Sequence, residues 1–314
     1  MQLTRYGRRL ICHNMLWPGS RWLAAISLVL VWCSQGAAAA PVRVVVSFSI
    51  LDDIVRCIGG AEVAVTSLIG PDSDAHVFEP SPDQARLLAR AQLLVVNGLG
   101  FESWLARLSR SAQFSGVLVT ATDGIVPITA AGAGEAPGVP DPHAWQDPRN
   151  AIVYADNIAR ALADIDPMHA DAYRQRLQVH RAELQALDER VRSELAVIPA
   201  DKRRVITSHD AFAYYGKAYS VTFLSAEGIN TDSEPTAKAV AELVRQIRRQ
   251  GIKALFLENI GDPRLVEEIA RDTGTTPGPP LYSDALSKPD GPAPTYVRMI
   301  EYNTLALKQG MLKN

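Results

Sequence analysis

Three histidines and one aspartate stand where this chain could assemble a site for a divalent cation. His76 lies in Asp74-Ala75-His76-Val77-Phe78-Glu79-Pro80, and His143 in Asp141-Pro142-His143-Ala144-Trp145-Gln146-Asp147-Pro148. His209 follows in Thr207-Ser208-His209-Asp210, and Asp284 in Tyr282-Ser283-Asp284-Ala285. Imidazole nitrogen and carboxylate oxygen are donors that Zn²⁺ takes in a tetrahedron, so these four would complete its shell. They are spread over more than 200 positions, unlike the ligands of a compact zinc finger, and spacing alone leaves other readings open. One of these is a zinc hydrolase with Glu79 or Glu258 as general base, which would keep one coordination position for water and need only three protein ligands. Glu79, Asp147 and Glu258 lie close to the ligand motifs and are expected to orient the ligands from behind.

The elements that must position these groups alternate between strand and helix. Apolar runs at Val42–Phe48, Val63–Ile69, Leu93–Asn97 and Val117–Thr120 have strand length and are separated by helical patterns, which predicts βα units and a parallel sheet. Ser81-Pro82-Asp83 marks a helix start, and Gly59-Gly60 reads as a helix C-cap. The alternation returns at Arg204–Thr207, Val221–Ser225 and Ala254–Leu257, with helices at Pro235–Gln250, Arg264–Thr273 and Tyr296–Gln309. His76 and His209 each stand just beyond a strand, where α/β sheets place ligand sites, and His143 stands in a loop pinned by two prolines. Between the two halves, one stripe of Tyr173, Leu177, Leu184, Leu187, Val191 and Leu195 predicts a helix from Pro167 to Ile198, roughly 45 Å long and rigid. His169 and His180 fall on that helix and read as structural. Thr129–Pro140 is rich in Gly, Ala and Pro and reads as a loop.

The chain has 314 residues, 47% hydrophobic and 21% charged, enough to bury a core in two domains. Residues 1–39 read as a signal peptide: Arg5, Arg8, Arg9 and Arg21 precede an apolar stretch, Trp22–Trp32, and Ala37–Ala40 offers the cleavage site. Trp32 occupies the place where a lipoprotein box wants a small residue before Cys33, which argues against lipidation and hence against a surface adhesin. Without this segment 28 Lys and Arg face 34 Asp and Glu, a balance that excludes nucleic acid as partner. Cys57 is then the one cysteine left, so no internal disulfide can form, and its apolar neighbours make it a small packing residue.

In order and spacing these motifs resemble the metal-binding subclass of solute-binding proteins, the extracytoplasmic receptors of ABC importers for zinc and manganese. The likeness runs from Val45-Val46-Ser47-Phe48 through the His76 segment, Asn97-Gly98-Leu99-Gly100 before Glu102 and Trp104, and the His143 and His209 segments, to Thr231-Asp232-Ser233-Glu234-Pro235. It implies an α/β fold with two lobes of parallel sheets flanked by helices, joined by one long rigid helix, with the metal in the interlobe cleft. The lobes would be residues 40–150 and 199–314, and the helical connection 151–198. The ligands would be His76, His143, His209 and Asp284. A histidine at the third position resembles the zinc-type members, where many manganese-type members have glutamate, and an added imidazole suits Zn²⁺ better than the harder Mn²⁺. The expectation is a periplasmic Zn²⁺ receptor, not an enzyme, with an inner-membrane permease and its cytoplasmic ATPase as partners and a metallochaperone as a further candidate. A manganese or iron receptor of the same fold is the alternative. The histidine-rich loop that several zinc receptors carry ahead of the second ligand has no counterpart here, since Ala121–Val139 holds no histidine.

Overall fold

A valine-rich run, buried except at Arg43, forms an inner strand of the first sheet. β1 (Val42–Val46) pairs in parallel with β2 (Val63–Ser67) after the crossover helix α1 (Ser49–Gly59). The chain then forms α2 (Pro82–Ala89), β3 (Leu93–Val96), α3 (Leu105–Ala112) and β4 (Val117–Thr120), giving a four-stranded parallel sheet of order β2-β1-β3-β4. Every residue of β3 is buried, as a central parallel strand covered on both sides requires. α2 starts as its sequence announces: Ser81 and Gln84 form a reciprocal capping box with Pro82 in the first turn. Gly60 ends α1 at φ 60°, a conformation open to glycine at little cost.

The computed structural model describes residues 40–129, 138–225, 227–232 and 236–314. Residues 1–39, expected from the sequence to be a signal peptide, most of the Thr129–Pro140 loop and Ser233-Glu234-Pro235 lie outside the described residues. Ala40–Asn314 pack as one compact unit, and no described helix is long and apolar enough to cross a membrane.

After the first sheet come two consecutive helices, α4 (Pro148–Ile165) and α5 (Ala170–Ala196). The second is shorter than the periodicity predicts. Pro167–His169 form a separate 3-10 turn, because Asp166 leaves helical geometry at φ −135° and its carboxylate takes up the His169 ring at 2.7 Å and the Tyr173 hydroxyl at 2.6 Å. The 27 residues of α5 still span about 40 Å. The helix packs on α1 and α4, and also on α6 (Ala213–Tyr219) and α9 (Tyr296–Met311), so it runs past both sheets. His180 is buried on its apolar stripe and His169 is half-buried at its start, both well away from the four candidate ligands in sequence and bonded to nearby carboxylates.

The second sheet begins with β5 (Arg204–Thr207) and β6 (Thr222–Ser225), parallel and joined by α6. Helices α7 (Ala237–Gln250) and α8 (Pro263–Thr273) then cover a small cluster of Ile206, Val244, Ile247, Val266 and Ile269. Ala254–Leu257, expected as a strand, is extended but reduced to one bridge between Leu255 and Ile206, with a second bridge linking Glu258 and Leu281. Its hydrogen bonds are diverted: the amides of Lys253 and Ala254 donate to the Asn314 side chain, and the segment on its other flank includes Pro279 and Pro280, which have no N–H to offer. Cys57 is half-buried, and its thiol is pushed up to about 12 by burial and then by Asp53, which makes it an inert packing group.

Candidate metal centre

Each of the four groups sits at the end of a segment whose backbone is independently tied down. His76 lies in the β2–α2 loop, where Asp74 Oδ1 accepts its backbone N–H at 2.8 Å; the other oxygen of Asp74 takes the Thr231 hydroxyl at 2.6 Å. His143 follows a similar turn, with Asp141 Oδ1 accepting its N–H at 2.9 Å and the Asn97 side chain donating to the Pro142 carbonyl at 2.9 Å. Asn97 opens a turn through Gly98, Leu99 and Gly100, all at positive φ, in which a Cβ at Gly98 would meet Thr120 at 2.4 Å. That turn presents Phe101, whose ring meets the His76 ring at 4.9 Å. His209 stands two residues past β5, and its N–H donates to Glu258 Oε1 at 3.0 Å. Asp284 follows Tyr282, whose backbone N–H and carbonyl are both held by Asn303 of α9, at 2.9 and 2.7 Å.

The four side chains converge. Asp284 Oδ2 lies 3.1 Å from His76 Nε2 and 3.3 Å from His209 Nε2, and Asp284 Oδ1 lies 3.6 Å from His143 Nε2. The Nε2 atoms of His76 and His143 are 3.4 Å apart, and the four ligand atoms all fall within 4.8 Å of one another. A tetrahedral shell with bonds of about 2.0 Å has edges of roughly 3.3 Å, so the donors already stand near the spacing a Zn²⁺ ion would impose. All four residues are buried, and Asp284 Oδ1 and His209 Nε2 have no hydrogen-bond partner among the described residues. Buried polar atoms left unmatched in this way are costly unless a ligand takes them up.

The ring nitrogens facing away from the centre differ. His143 Nδ1 lies 2.7 Å from Asp141 Oδ1, and His209 Nδ1 lies 2.6 Å from Glu258 Oε2. His76 Nδ1 is buried and has no hydrogen-bond partner among the described residues. Burial would pull the His143 imidazole down, but Asp284 and Asp141 outweigh it and raise it to about 9. His209 is likewise raised well above the usual imidazole range, since Glu258 and Asp284 overcome its burial. Burial works against the Asp284 carboxylate, yet His143 and His209 hold it well below the ordinary value. Without a metal, protons therefore supply the positive charge that the carboxylates demand.

Of the three acids expected behind the ligands, Glu258 alone stands against one of the candidate rings. Asp147 caps α4 instead, accepting the Arg149 N–H at 2.9 Å and pairing with its guanidinium, because the 3-10 turn Ala144–Gln146 carries it away from His143. Glu79 is exposed, since the prolines after Phe78 lead the chain out to the surface. The acid that sequence reasoning missed is Asp141. Its signal was present in the repeated Asp-x-His of Asp74-Ala75-His76 and Asp141-Pro142-His143.

Residues 44–310 match the family described as zinc-uptake complex component A, periplasmic (ZnuA). The chain belongs to the ZnuA family. Among its relatives, the iron-binding protein YfeA of Yersinia pestis is 32% identical over 269 residues, covering 85% of this chain and 86% of its own. The manganese ABC transporter substrate-binding lipoprotein PsaA of Streptococcus pneumoniae is 29% identical, covering 92% and 96%. Among solved structures, the periplasmic zinc binding protein TroA of Treponema pallidum superposes with a TM-score of 0.81 at 26% identity, covering 87% of this chain and 99% of its own. This ZnuA-family chain is a divalent-metal-binding receptor of an ABC importer and not an enzyme, which removes the hydrolase reading. Membership implies a permease and an ATPase as partners.

Proposed function

We propose that this protein is an exported Zn²⁺ receptor that holds the ion on His76, His143, His209 and Asp284 and delivers it to an importer in the inner membrane. The observation that carries the reading is the donor set: three imidazoles and one carboxylate with near-neighbour spacings of 3.1 to 3.6 Å, the composition and size of a closed four-coordinate zinc shell. Four protein ligands leave no position for a reacting water, which suits a cargo ion that must be held and released unchanged. In this reading residues 1–39 are a signal peptide, 40–150 and 199–314 are the two lobes, and 151–198 connect them, with the ion between the lobes. Both kinds of relative named above, periplasmic and lipoprotein, work outside the cytoplasm, which supports export. A metallochaperone that loads the site would be a further partner.

A manganese or iron receptor is the second reading, favoured by the names of PsaA and YfeA. The two differ in donor preference, because Mn²⁺ is harder and favours oxygen-rich shells of higher coordination number. Elemental analysis of protein purified from its native compartment, with X-ray absorption at the metal edge, tests the choice. Zinc at one equivalent with four light-atom neighbours is the expected result, and manganese or iron at that occupancy would overturn it.

A further inference from the structure

The turn that carries His143 also grips the peptide that carries Asp284. Trp145 Nε1 donates to the Ser283 carbonyl at 2.9 Å and Gln146 Nε2 donates to the same oxygen at 2.7 Å. Ser283 immediately precedes Asp284, while Trp145 and Gln146 are the second and third residues after His143. All of these residues are fully buried. The turn is itself anchored from the other side, since the Tyr296 hydroxyl at the start of α9 donates to the Trp145 carbonyl at 2.6 Å. The Tyr282 peptide ahead of Ser283 is already occupied by Asn303. Ser283 thus offers a free carbonyl next to the Asp284 carboxylate, and two donors from the far side of the site take both of its lone pairs.

We propose that Gln146 and Trp145 are positioning residues for Asp284: they link the His143 turn to the Asp284 peptide, so that these two ligand groups reach or leave the metal together. The proposal rests on the four-residue site described above. A single donor would leave the peptide free to swivel about one hydrogen bond, whereas two donors on one oxygen fix its direction and hence the direction of the next side chain. The Gln146 Oε1 atom is buried without a hydrogen-bond partner among the described residues, so the amide donor is the polar work this buried side chain performs. Trp145 adds packing, its ring meeting the His143 ring at 5.2 Å and Phe48 at 5.0 Å, so the same side chain touches one ligand and holds the backbone of another.

The test is a double-mutant cycle read as zinc affinity. Gln146→Leu keeps the bulk and removes the donor, Trp145→Phe keeps an aromatic ring and removes its N–H, and each is combined with Asp284→Ala. Loss of a group that orients a metal ligand weakens binding by roughly 10- to 100-fold. We expect a loss of that size for each variant in the wild-type background and little further loss once Asp284 is gone. X-ray absorption of zinc-loaded Gln146→Leu should show disorder or loss of the oxygen neighbour while the imidazole contributions persist, a change that loosened packing would not select. Equal losses with and without Asp284 would overturn the proposal, because the residues would then act through general stability. Wild-type affinity in both single variants would overturn it too. If Asp284→Ala alone left zinc affinity unchanged, the four-residue site itself would fall, and the two failures are distinguished by that one variant. Should Gln146→Leu not fold, as judged by circular dichroism of the metal-free protein, Trp145→Phe carries the same cycle.

Discussion

Asp141 holds His143 at two points with one oxygen: Oδ1 accepts the backbone N–H at 2.9 Å and lies 2.7 Å from the ring Nδ1. The second contact places the Nδ1 proton toward the carboxylate and leaves Nε2 facing Asp284. It also makes the imidazole a stronger donor to a metal. Asp141→Asn keeps an oxygen for the backbone N–H but removes the charge. Zinc affinity should fall by roughly 10- to 100-fold with the fold unchanged, measured by competition with a chelating indicator. Full affinity in this variant would mean that the carboxylate does not tune the ring.

Proton competition sets the pH dependence. The metal-free His143 titrates at about 9, so at neutral pH zinc must displace its proton, and His209 adds a second. Apparent zinc affinity should therefore keep rising from pH 7 to 9, about tenfold per unit for each proton released, and should fall as pH drops toward 5. Isothermal titration in buffers of different ionisation enthalpy counts those protons. An affinity flat across the range would remove His143 and His209 from the shell.

The stability of the metal-free protein should run the opposite way. A histidine raised from about 6.5 in the unfolded chain to about 9 in the folded one contributes stability that is complete below pH 6.5 and lost as pH climbs through 9. Melting temperature without metal should fall across that window, and saturating zinc should abolish the fall. Thermal melts at half-unit steps, with and without chelator, check both limbs.

His209 is the group expected to separate zinc from manganese. Replacing it with glutamate puts a hard oxygen in the shell but sets it beside Glu258, which now lies 2.6 Å from the His209 ring. His209→Glu together with Glu258→Gln relieves that repulsion. The pair should lower the ratio of manganese to zinc dissociation constants, the direction the donor-softness argument requires. An unmoved ratio would mean that His209 is not the selecting ligand.

Asp284 should tie metal binding to folding. Zinc at a hundredfold excess over its dissociation constant stabilises the native state by about 2.7 kcal/mol. If Asp284→Ala weakens binding by about a hundredfold, the same zinc concentration leaves about 0.4 kcal/mol. The zinc-induced rise in melting temperature should shrink accordingly, and calorimetry of wild type and variant gives the comparison. An equal rise in both would remove Asp284 from the shell.

Much of the architecture was legible because its causes are local. The apolar run Val42–Val46, the Ser81 cap and the α5 stripe from Tyr173 to Leu195 each depend on residues within a few positions of one another. The histidines were legible as chemistry because imidazole beyond a strand is a frequent ligand position and the motif order resembles a known receptor class. Where local patterns misled, side-chain hydrogen bonds had intervened, from far along the chain in one case and from the adjoining turn in the other. Asn314 takes the amides that would have extended Lys253–Leu257 into a strand, and the Asp166 carboxylate splits the predicted helix ahead of Ala170.

The supporting acids were decided at two levels, Asp141 by a local turn and Glu258 by tertiary structure. Asp141 and Asp147 flank His143 two residues before it and four after, and the path of the 3-10 turn decides that the first meets the ring and the second caps α4. Glu258 reaches His209 from 49 residues away, and Asp284 comes within 3.1 Å of His76 from 208 residues away. Residue types and short-range periodicity determined which groups could bind a cation and which elements would carry them. Bringing four donors to spacings of 3.1 to 3.6 Å, with a specific carboxylate behind two of the rings, required the packing of α1, α4, α6 and α9 against α5. That packing is set by burial summed over the whole core, which no window of sequence contains.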